Sequence, residues 1–121
     1  MSVEGEGSPG PEPRVHGLLQ AWLLLLLAER EDHGYALVKR LVGEMPEELI
    51  PDPGVVYRIL RKLEGEGAVD STLRTGGGGP ARKVYTVTAA GKSRLLAWRR
   101  TAEERADLLR RFLGRLSTVE E

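Results

Sequence analysis

The chain contains no cysteine, which excludes disulfide bonds and thiolate chemistry and fits a reducing compartment. Its longest apolar stretch, Leu18 to Ala28, has about half of the roughly 20 residues that a helix needs to cross a bilayer. The N-terminus lacks the basic start, apolar core and cleavage site of a secretory signal. We therefore expect a cytoplasmic protein that does not contact a membrane.

The net charge of the chain is zero, because 18 basic residues balance 18 acidic ones. This balance hides an uneven distribution. Residues 1–52 carry four basic and ten acidic groups, whereas residues 53–85 carry six basic and three acidic ones. Residues 86–121 add eight basic and five acidic groups. Since nucleic acid binds to local positive surfaces, residues 53 onward are the part of the chain where such a surface is expected.

Catalytic and metal-binding arrangements are also missing from the sequence. No nucleophile has a base at a recognisable spacing, and the Gly76–Gly79 run is not followed by the lysine–serine or lysine–threonine pair of a nucleotide-binding loop. The two histidines, His16 and His33, have no metal-ligand spacing around them. We therefore expect neither an enzyme nor a bound metal or cofactor.

The order of helical and extended patterns predicts one small domain followed by a long helix. Apolar residues recur at helical spacing in three segments, and two alternating stretches separated by a glycine-rich tip follow them. The predicted segments are a disordered tail over 1–13, helices over 14–30, 35–44 and 53–66, strands over 68–73 and 83–87, and a final helix over 89–116.

The ends of these helices carry recognisable signals. Asp52 is placed to cap the third helix with its side chain, and Pro53 suits the first helical position. Gly67 is placed to end the same helix in a left-handed conformation. Thr88 is placed to cap the final helix.

The second helix is predicted to be amphipathic. Lys39 and Arg40 are expected on its solvent side, opposite the face that meets the core. The predicted core stripe consists of Leu37, Leu41 and Val42.

Three compact helices followed by a two-stranded wing form the winged helix-turn-helix arrangement, in which the third helix is the recognition helix. The predicted fold class is therefore mainly α with a small β-hairpin. We assign residues 14–88 to this domain and residues 89–121 to a dimerisation helix.

Three motifs lie along the chain in a specific order and spacing. They are His33-Gly34-Tyr35, then Pro53-Gly54-x-x-Tyr57-x-x-Leu60-x-x-Leu63, then Gly79-Pro80-x-Arg82-Lys83-x-Tyr85-x-Val87-Thr88-x-x-Gly91. In these motifs the sequence resembles the PadR-like family of winged-helix transcription regulators, from about Leu18 into the final helix. The resemblance implies a ligand-responsive repressor that binds a pseudo-palindromic operator as a homodimer. The sequence departs from the family at two positions: Val55 stands where the family often has serine or threonine, and Val84 stands where it often has tyrosine.

The third helix is predicted to read double-stranded DNA with the side chains that lie off its apolar stripe. Arginine can bond a guanine edge bidentately, and arginine, lysine and tyrosine can hold phosphates. The predicted contacts begin with Tyr57 and Arg58, because the N-terminal residues of a recognition helix reach deepest into the groove. Arg61 and Lys62 follow, and Val55 can touch a thymine methyl. The alternative is that these residues form the solvated face of an ordinary amphipathic helix.

The wing and the second helix are predicted to add contacts to the DNA backbone. The Gly76–Gly79 run lets the backbone approach DNA closely, and Arg82 and Lys83 supply positive charge beside it. Tyr35 and Lys39 are expected to flank the phosphates from the second helix. The alternative is a flexible solvent loop whose cations contact nothing in particular.

The final helix carries apolar residues at alternating spacings of three and four, which is the seam of a coiled coil. Since the seam is longer than a domain of this size can cover, we predict a homodimer; the alternative is a helix packed back along its own domain. Trp22 and Trp98 are candidates for a pocket that binds a small aromatic effector, although ordinary packing would also explain them. The seam consists of Leu95, Trp98, Ala102, Arg105, Leu109, Phe112 and Leu116, with Arg105 as its one polar interruption.

Two functions are compatible with these patterns. The leading hypothesis is a dimeric, sequence-specific repressor of transcription that a small molecule relieves. The second is a winged-helix module that binds protein instead of DNA, which the neutral total charge and the acidic N-terminal half would favour.

Overall fold

The computed structural model describes residues 14–76 and 78–120, with side chains from Gly17 onward. The predicted disordered tail over 1–13 lies outside these residues. The observed order of elements confirms the predicted fold class. The elements are α1 (Arg14–Glu29), β1 (Asp32–His33), α2 (Gly34–Glu44), a single-turn 3-10 helix (Glu47–Leu49), α3 (Pro53–Gly65), β2 (Val69–Arg74), β3 (Arg82–Val87) and α4 (Ala89–Glu120).

Helix α1 lies at the centre of the core, as its nearly continuous apolar surface predicts. Leu23 and Leu24 are fully buried, and four further residues of the helix are also buried. Burial of a leucine side chain stabilises a fold by about 1.5–3 kcal/mol, so this helix is the main source of core stability. The residues of other elements that pack in the same core are Leu37, Leu41, Val56, Ile59, Leu60, Leu63, Ala68, Val69 and Tyr85.

The sheet has three strands, whereas the sequence predicts two. β2 and β3 form the antiparallel wing, and β1 pairs with the other edge of β3, so the strand order is β1-β3-β2. In the additional pairs Asp32 lies opposite Tyr85 and His33 lies opposite Val84. A two-residue strand is too short to show alternation, which is why the segment reads only as a helix break in the sequence.

Two predictions for α2 are wrong. Val42 is exposed, and Val38 packs against the core in its place. Arg40 does not face solvent: only 14% of its side chain is exposed, and its guanidinium lies 3.3 Å from an Asp32 carboxylate oxygen. The same guanidinium donates to the carbonyl oxygen of Leu26 at 2.8 Å, near the end of α1. Arg40 therefore joins α1, β1 and α2, a role that depends on residues outside its own helix.

The two ends of α3 differ in how well the sequence predicts them. The predicted side-chain cap at Asp52 is wrong, because its backbone carbonyl, not its carboxylate, accepts from the Val55 and Val56 amides at 2.9 and 3.4 Å. Pro53 lies in the first turn as predicted. At the other end, Gly67 has a φ of +78°, which confirms the predicted left-handed residue after the helix.

Helix α4 begins as predicted and continues further than expected. The Thr88 hydroxyl accepts from the Gly91 amide at 3.0 Å, which confirms the predicted cap. The helix then runs through 32 residues to Glu120, about 48 Å at 1.5 Å per residue. Among the residues that the structure describes, neither this helix nor any other is long and apolar enough to span a membrane.

Candidate nucleic-acid interface

Helix α3 separates its apolar and polar side chains cleanly. Val56, Leu60 and Leu63 are buried, as is Ile59, and they attach the helix to α1 and α2. The opposite face exposes Arg58, Arg61 and Lys62 to solvent. This separation is what a recognition helix requires, because the inward face holds the helix while the outward face presents donors.

Tyr57 is positioned by a close approach between α3 and the start of α2. Gly34 lies directly against the Tyr57 ring: a Cβ atom at Gly34 would overlap the ring, with Cδ1 at 3.0 Å and Cζ at 3.2 Å. His33 organises the same corner, since its Nδ1 accepts from the Ala36 amide at 3.3 Å and caps α2. The His-Gly-Tyr motif therefore serves to bring α2 and α3 together at the polar face of α3.

A cleft of about 440 Å³ lies between the start of α2, the polar face of α3 and strand β3. It brings together five of the nine residues that the sequence predicts for DNA contact, from three separate elements. It also collects all three tyrosines of the chain. Its lining consists of His33, Gly34, Tyr35, Tyr57, Arg61, Arg82, Lys83 and Tyr85.

The four other predicted contact residues lie outside this cleft. Arg58 is exposed, and its guanidinium extends back toward Gly54 in the first turn of α3. Lys39 is exposed beside the cleft, with its ammonium 5.4 Å from the centre of the Tyr35 ring. Lys62 is exposed on the next turn of α3. Val55 is half-buried and packs against the core, so only part of its side chain is accessible.

Two of the predicted cations are paired with carboxylates of α3. Lys62 lies 2.6 Å from Glu66, and Lys83 lies 3.1 Å from Glu64. A hydrogen bond from the Ser71 hydroxyl and one from Lys83 lower the pKa of Glu64, and bonds from Lys62 and Arg94 lower the pKa of Glu66. Any phosphate that binds these lysines must therefore compete with a carboxylate of the protein.

Arg58 and Arg61 differ from these lysines in their ion pairing. Neither forms an ion pair within the part of the chain that the structure describes. An arginine without a carboxylate partner keeps its planar set of donors available for a phosphate or a guanine edge. These two side chains are thus the strongest candidate donors on the recognition helix.

The wing carries two arginines directly opposite each other near its tip. Arg74 pairs with Arg82 in the register of β2 and β3. Because like charges facing each other destabilise a strand pair, each arginine needs a partner elsewhere. Arg74 donates to both carboxylate oxygens of Glu31, and Arg82 lies 2.9 Å from His33 Nε2. Arg74 is not among the contacts predicted from the sequence, because only the strand register places it beside Arg82.

Within the described residues, the side chains of helix α4 that pack against its own domain lie in its first half. Leu95 packs against the core, and Trp98 lies against Gly17 of α1 and stacks with Arg105 at 5.5 Å. Farther along, the predicted seam residues Leu109, Phe112 and Leu116 are exposed. Further apolar residues outside the predicted seam are also exposed along this helix, namely Leu96, Leu108, Leu113 and Val119.

Trp22 and Trp98 both line one groove between α1 and α4, with a volume of about 490 Å³. The remaining lining is mostly aliphatic, apart from Arg99 and Glu103. The structure therefore brings together the two residues that the sequence suggests for an effector pocket.

Comparison with known proteins identifies the family. A sequence profile described as "Transcriptional regulator PadR-like family" matches residues 23–97. The chain belongs to this family. It is 36% identical over 100 residues to the transcriptional regulator Rv3488 of Mycobacterium tuberculosis, across 83% of this chain and 71% of that protein. As a PadR-like protein it is a transcriptional regulator.

Solved PadR-like structures have the same fold. The crystal structure of the putative transcriptional regulator TA0346 from Thermoplasma acidophilum superimposes with a TM-score of 0.73 at 27% identity, over 83% of this chain and 94% of that one. Bacillus subtilis PadR in complex with operator DNA superimposes with a TM-score of 0.59, also at 27% identity. That match covers 67% of this chain and 46% of the Bacillus protein.

Proposed function

We propose that this PadR-like protein is a dimeric repressor that binds operator DNA through α3 and the wing. The observation that carries the proposal is the convergence of Tyr57 and Arg61 of α3 with Arg82 and Lys83 of β3 in one cleft, with Arg58 exposed on the same polar face of α3. Side chains from a helix and a wing that face the same way can contact a major groove and its flanking phosphates together.

A relative supports the DNA-binding part of this proposal. Bacillus subtilis PadR has been crystallised with operator DNA, and its structure matches two thirds of this chain. The positive charge of residues 53–85 lies on α3 and the wing, the elements proposed to contact DNA. The alternative of a module that binds only protein gains no specific support from the positions of these cations.

Pairing through α4 supplies the dimer in this proposal. Leu109, Phe112 and Leu116 are 41–61% exposed, although burial of each would stabilise an assembly by roughly 1 kcal/mol or more. A second copy is the partner that symmetry favours, and a two-fold dimer would present two copies of α3 about one DNA turn apart. This arrangement fits an operator with inverted half-sites.

In this proposal a small molecule relieves repression by binding in the groove between α1 and α4. Its volume lies in the range of about 300–1,000 Å³ that small-molecule sites occupy, and two indole rings can stack on a flat aromatic compound. A ligand held between α1 and α4 would change the path of α4 and therefore the separation of the two recognition helices.

The proposal is tested by selecting bound duplexes from a random library and measuring affinity for the recovered site at several salt concentrations. We expect a two-fold symmetric consensus and a steep loss of affinity with salt. The double variant Arg58→Ala/Arg61→Ala should lose at least about tenfold in affinity and lower the salt slope by about 0.9 for each lost phosphate contact.

The matched control is Arg110→Ala/Arg111→Ala, which removes the same charge from exposed positions on α4. It should bind nearly as the wild type does, and all three proteins should have the same mass in solution. Equal affinity of the two double variants, or a wild type that selects no symmetric duplex, would contradict the proposal.

A further inference from the structure

Helix α4 is bonded directly to the turn that ends the recognition helix. The Thr88 amide donates to the Ala68 carbonyl at 3.1 Å. Its hydroxyl lies 2.7 Å from the Gly67 carbonyl oxygen and 3.0 Å from that of Ala68, and it accepts from the Gly91 amide. The residue that caps α4 is therefore also attached to the end of α3. We call the contacts between residues 66–68 and residues 88–94 the α3–α4 joint.

Gly91 allows the backbones of this joint to lie against each other. A Cβ atom there would overlap the Ala68 carbonyl, with its carbon at 3.0 Å, and would lie 2.8 Å from Val87 Cγ2. The obstacle is largely backbone, which cannot rotate away as a flexible side chain can. Any larger residue at this position must displace α4 from α3.

An ion-pair network crosses the same joint. The carboxylate of Glu66, at the end of α3, accepts from Lys62 at 2.6 Å and from Arg94 of α4 at 2.8 Å. Arg94 lies one turn after Gly91, so the second turn of α4 is also linked to the recognition helix. Surface ion pairs contribute little stability alone, but here the pair adds a directional restraint to a close backbone contact.

The length of α4 amplifies small changes at this joint. The helix extends about 48 Å, so a tilt of about 10° at its start would move its far end by about 8 Å. The exposed apolar residues proposed to pair with a second copy lie in that far half. The angle at the joint, together with the packing of α4 on α1, therefore determines where the partner's recognition helix lies.

We propose that the α3–α4 joint determines which spacing of operator half-sites the dimer accepts, with Gly91 and Arg94 as specificity-determining residues that do not touch DNA. This inference rests on the proposed function, since it requires a dimer with two recognition helices. A rigid joint restricts the dimer to one spacing, whereas a loosened joint lets it accept several.

The test uses the symmetric duplex that the wild type selects, remade with its centre shortened or lengthened by one or two base pairs. Coupling between distant sites typically changes affinity by roughly 5- to 150-fold. We expect Gly91→Ala and Arg94→Ala each to reduce the preference for the original spacing by at least about fivefold. The preference is a ratio of two affinities measured on the same protein sample. An unfolded fraction lowers both affinities equally and leaves the ratio unchanged.

Two matched controls separate the joint from general effects of substitution. Gly43→Ala adds a methyl group to an open helical position, and Arg100→Ala removes a charge from an exposed position on α4. Both should keep the wild-type preference. If Gly91→Ala does not fold, the spacing preference of Arg94→Ala alone tests the inference.

The possible results distinguish the inference from the proposed function. An unchanged spacing preference in the folded joint variants overturns the inference and leaves the proposed function standing. A wild type that recovers no symmetric duplex overturns both. A loss of preference in the joint variants, with the controls unchanged, supports the inference.

Discussion

Gly34→Ala tests whether close contact between α2 and α3 positions Tyr57. The added Cβ would overlap the Tyr57 ring at three atoms, so either the ring must rotate out of its place or the two helices must separate. Gly34 itself is buried and has no left-handed conformation. The substitution therefore changes packing without adding backbone strain.

The expected loss follows from two opposing effects. Insertion of a methyl group into a well-packed site costs about 1–3 kcal/mol. Replacement of glycine by alanine restricts the unfolded chain and returns about 0.4–1 kcal/mol where the methyl group has room. We expect a net loss of about 1–2 kcal/mol in the free energy of unfolding for Gly34→Ala.

A double-mutant cycle with Tyr57→Ala measures the contact itself. Without the ring, the methyl group at position 34 has room, so Gly34→Ala should no longer destabilise the protein in that background. The coupling free energy should therefore be about 2 kcal/mol. Urea unfolding at one fixed protein concentration gives the four values, because self-association makes apparent stability depend on concentration.

Gly43→Ala provides the control in the same helix, since its Cβ meets nothing within 4 Å. It should leave stability unchanged or raise it slightly. If Gly34→Ala reduced stability equally with and without the Tyr57 ring, the contact between α2 and α3 would not be what positions Tyr57.

Three further predictions concern other parts of the molecule. Ser71 and Lys83 lower the pKa of Glu64, so the ionised carboxylate stabilises the fold above the usual carboxyl pKa. This contribution disappears as the pH falls through the lowered pKa. Glu64→Gln should therefore reduce the urea midpoint at neutral pH but not near pH 2. Arg40→Ala should cost about 2 kcal/mol in urea unfolding because it removes the guanidinium's part-buried hydrogen bonds to Asp32 and to the Leu26 carbonyl, and a neutral result would contradict the role assigned to this residue. Phe112→Asp should halve the mass measured by sedimentation equilibrium while leaving helix content unchanged; a variant that stays dimeric would exclude pairing through this face of α4.

The long elements were predictable because their signals are local. The period of apolar residues along α1, α3 and α4 places each helix within a few residues, and Gly67 and Thr88 mark ends that the structure confirms. Asp52 shows the limit of such signals. The same residue type precedes a helix whether its side chain or only its carbonyl satisfies the first amides.

Features that depend on distant residues were not predictable in the same way. Arg40 lies on the polar side of α2 by sequence, and only the placement of α1 and β1 makes it a half-buried link. The joint at Gly91 requires knowledge of where Ala68 lies. In the interface, helical period alone exposes Arg58 and Arg61, whereas the pairing of Lys83 with Glu64 requires the position of the wing.

The placement of the aromatic residues has a practical consequence for studying the protein. The chain has two tryptophans, and both line the α1–α4 groove, whereas all three tyrosines line the cleft beside α3. Indole emission therefore reports on the groove in unlabelled protein, because neither tryptophan lines the cleft. A titrated compound that shifts this emission alters the surroundings of the groove, whereas a duplex held at the cleft contacts no tryptophan there.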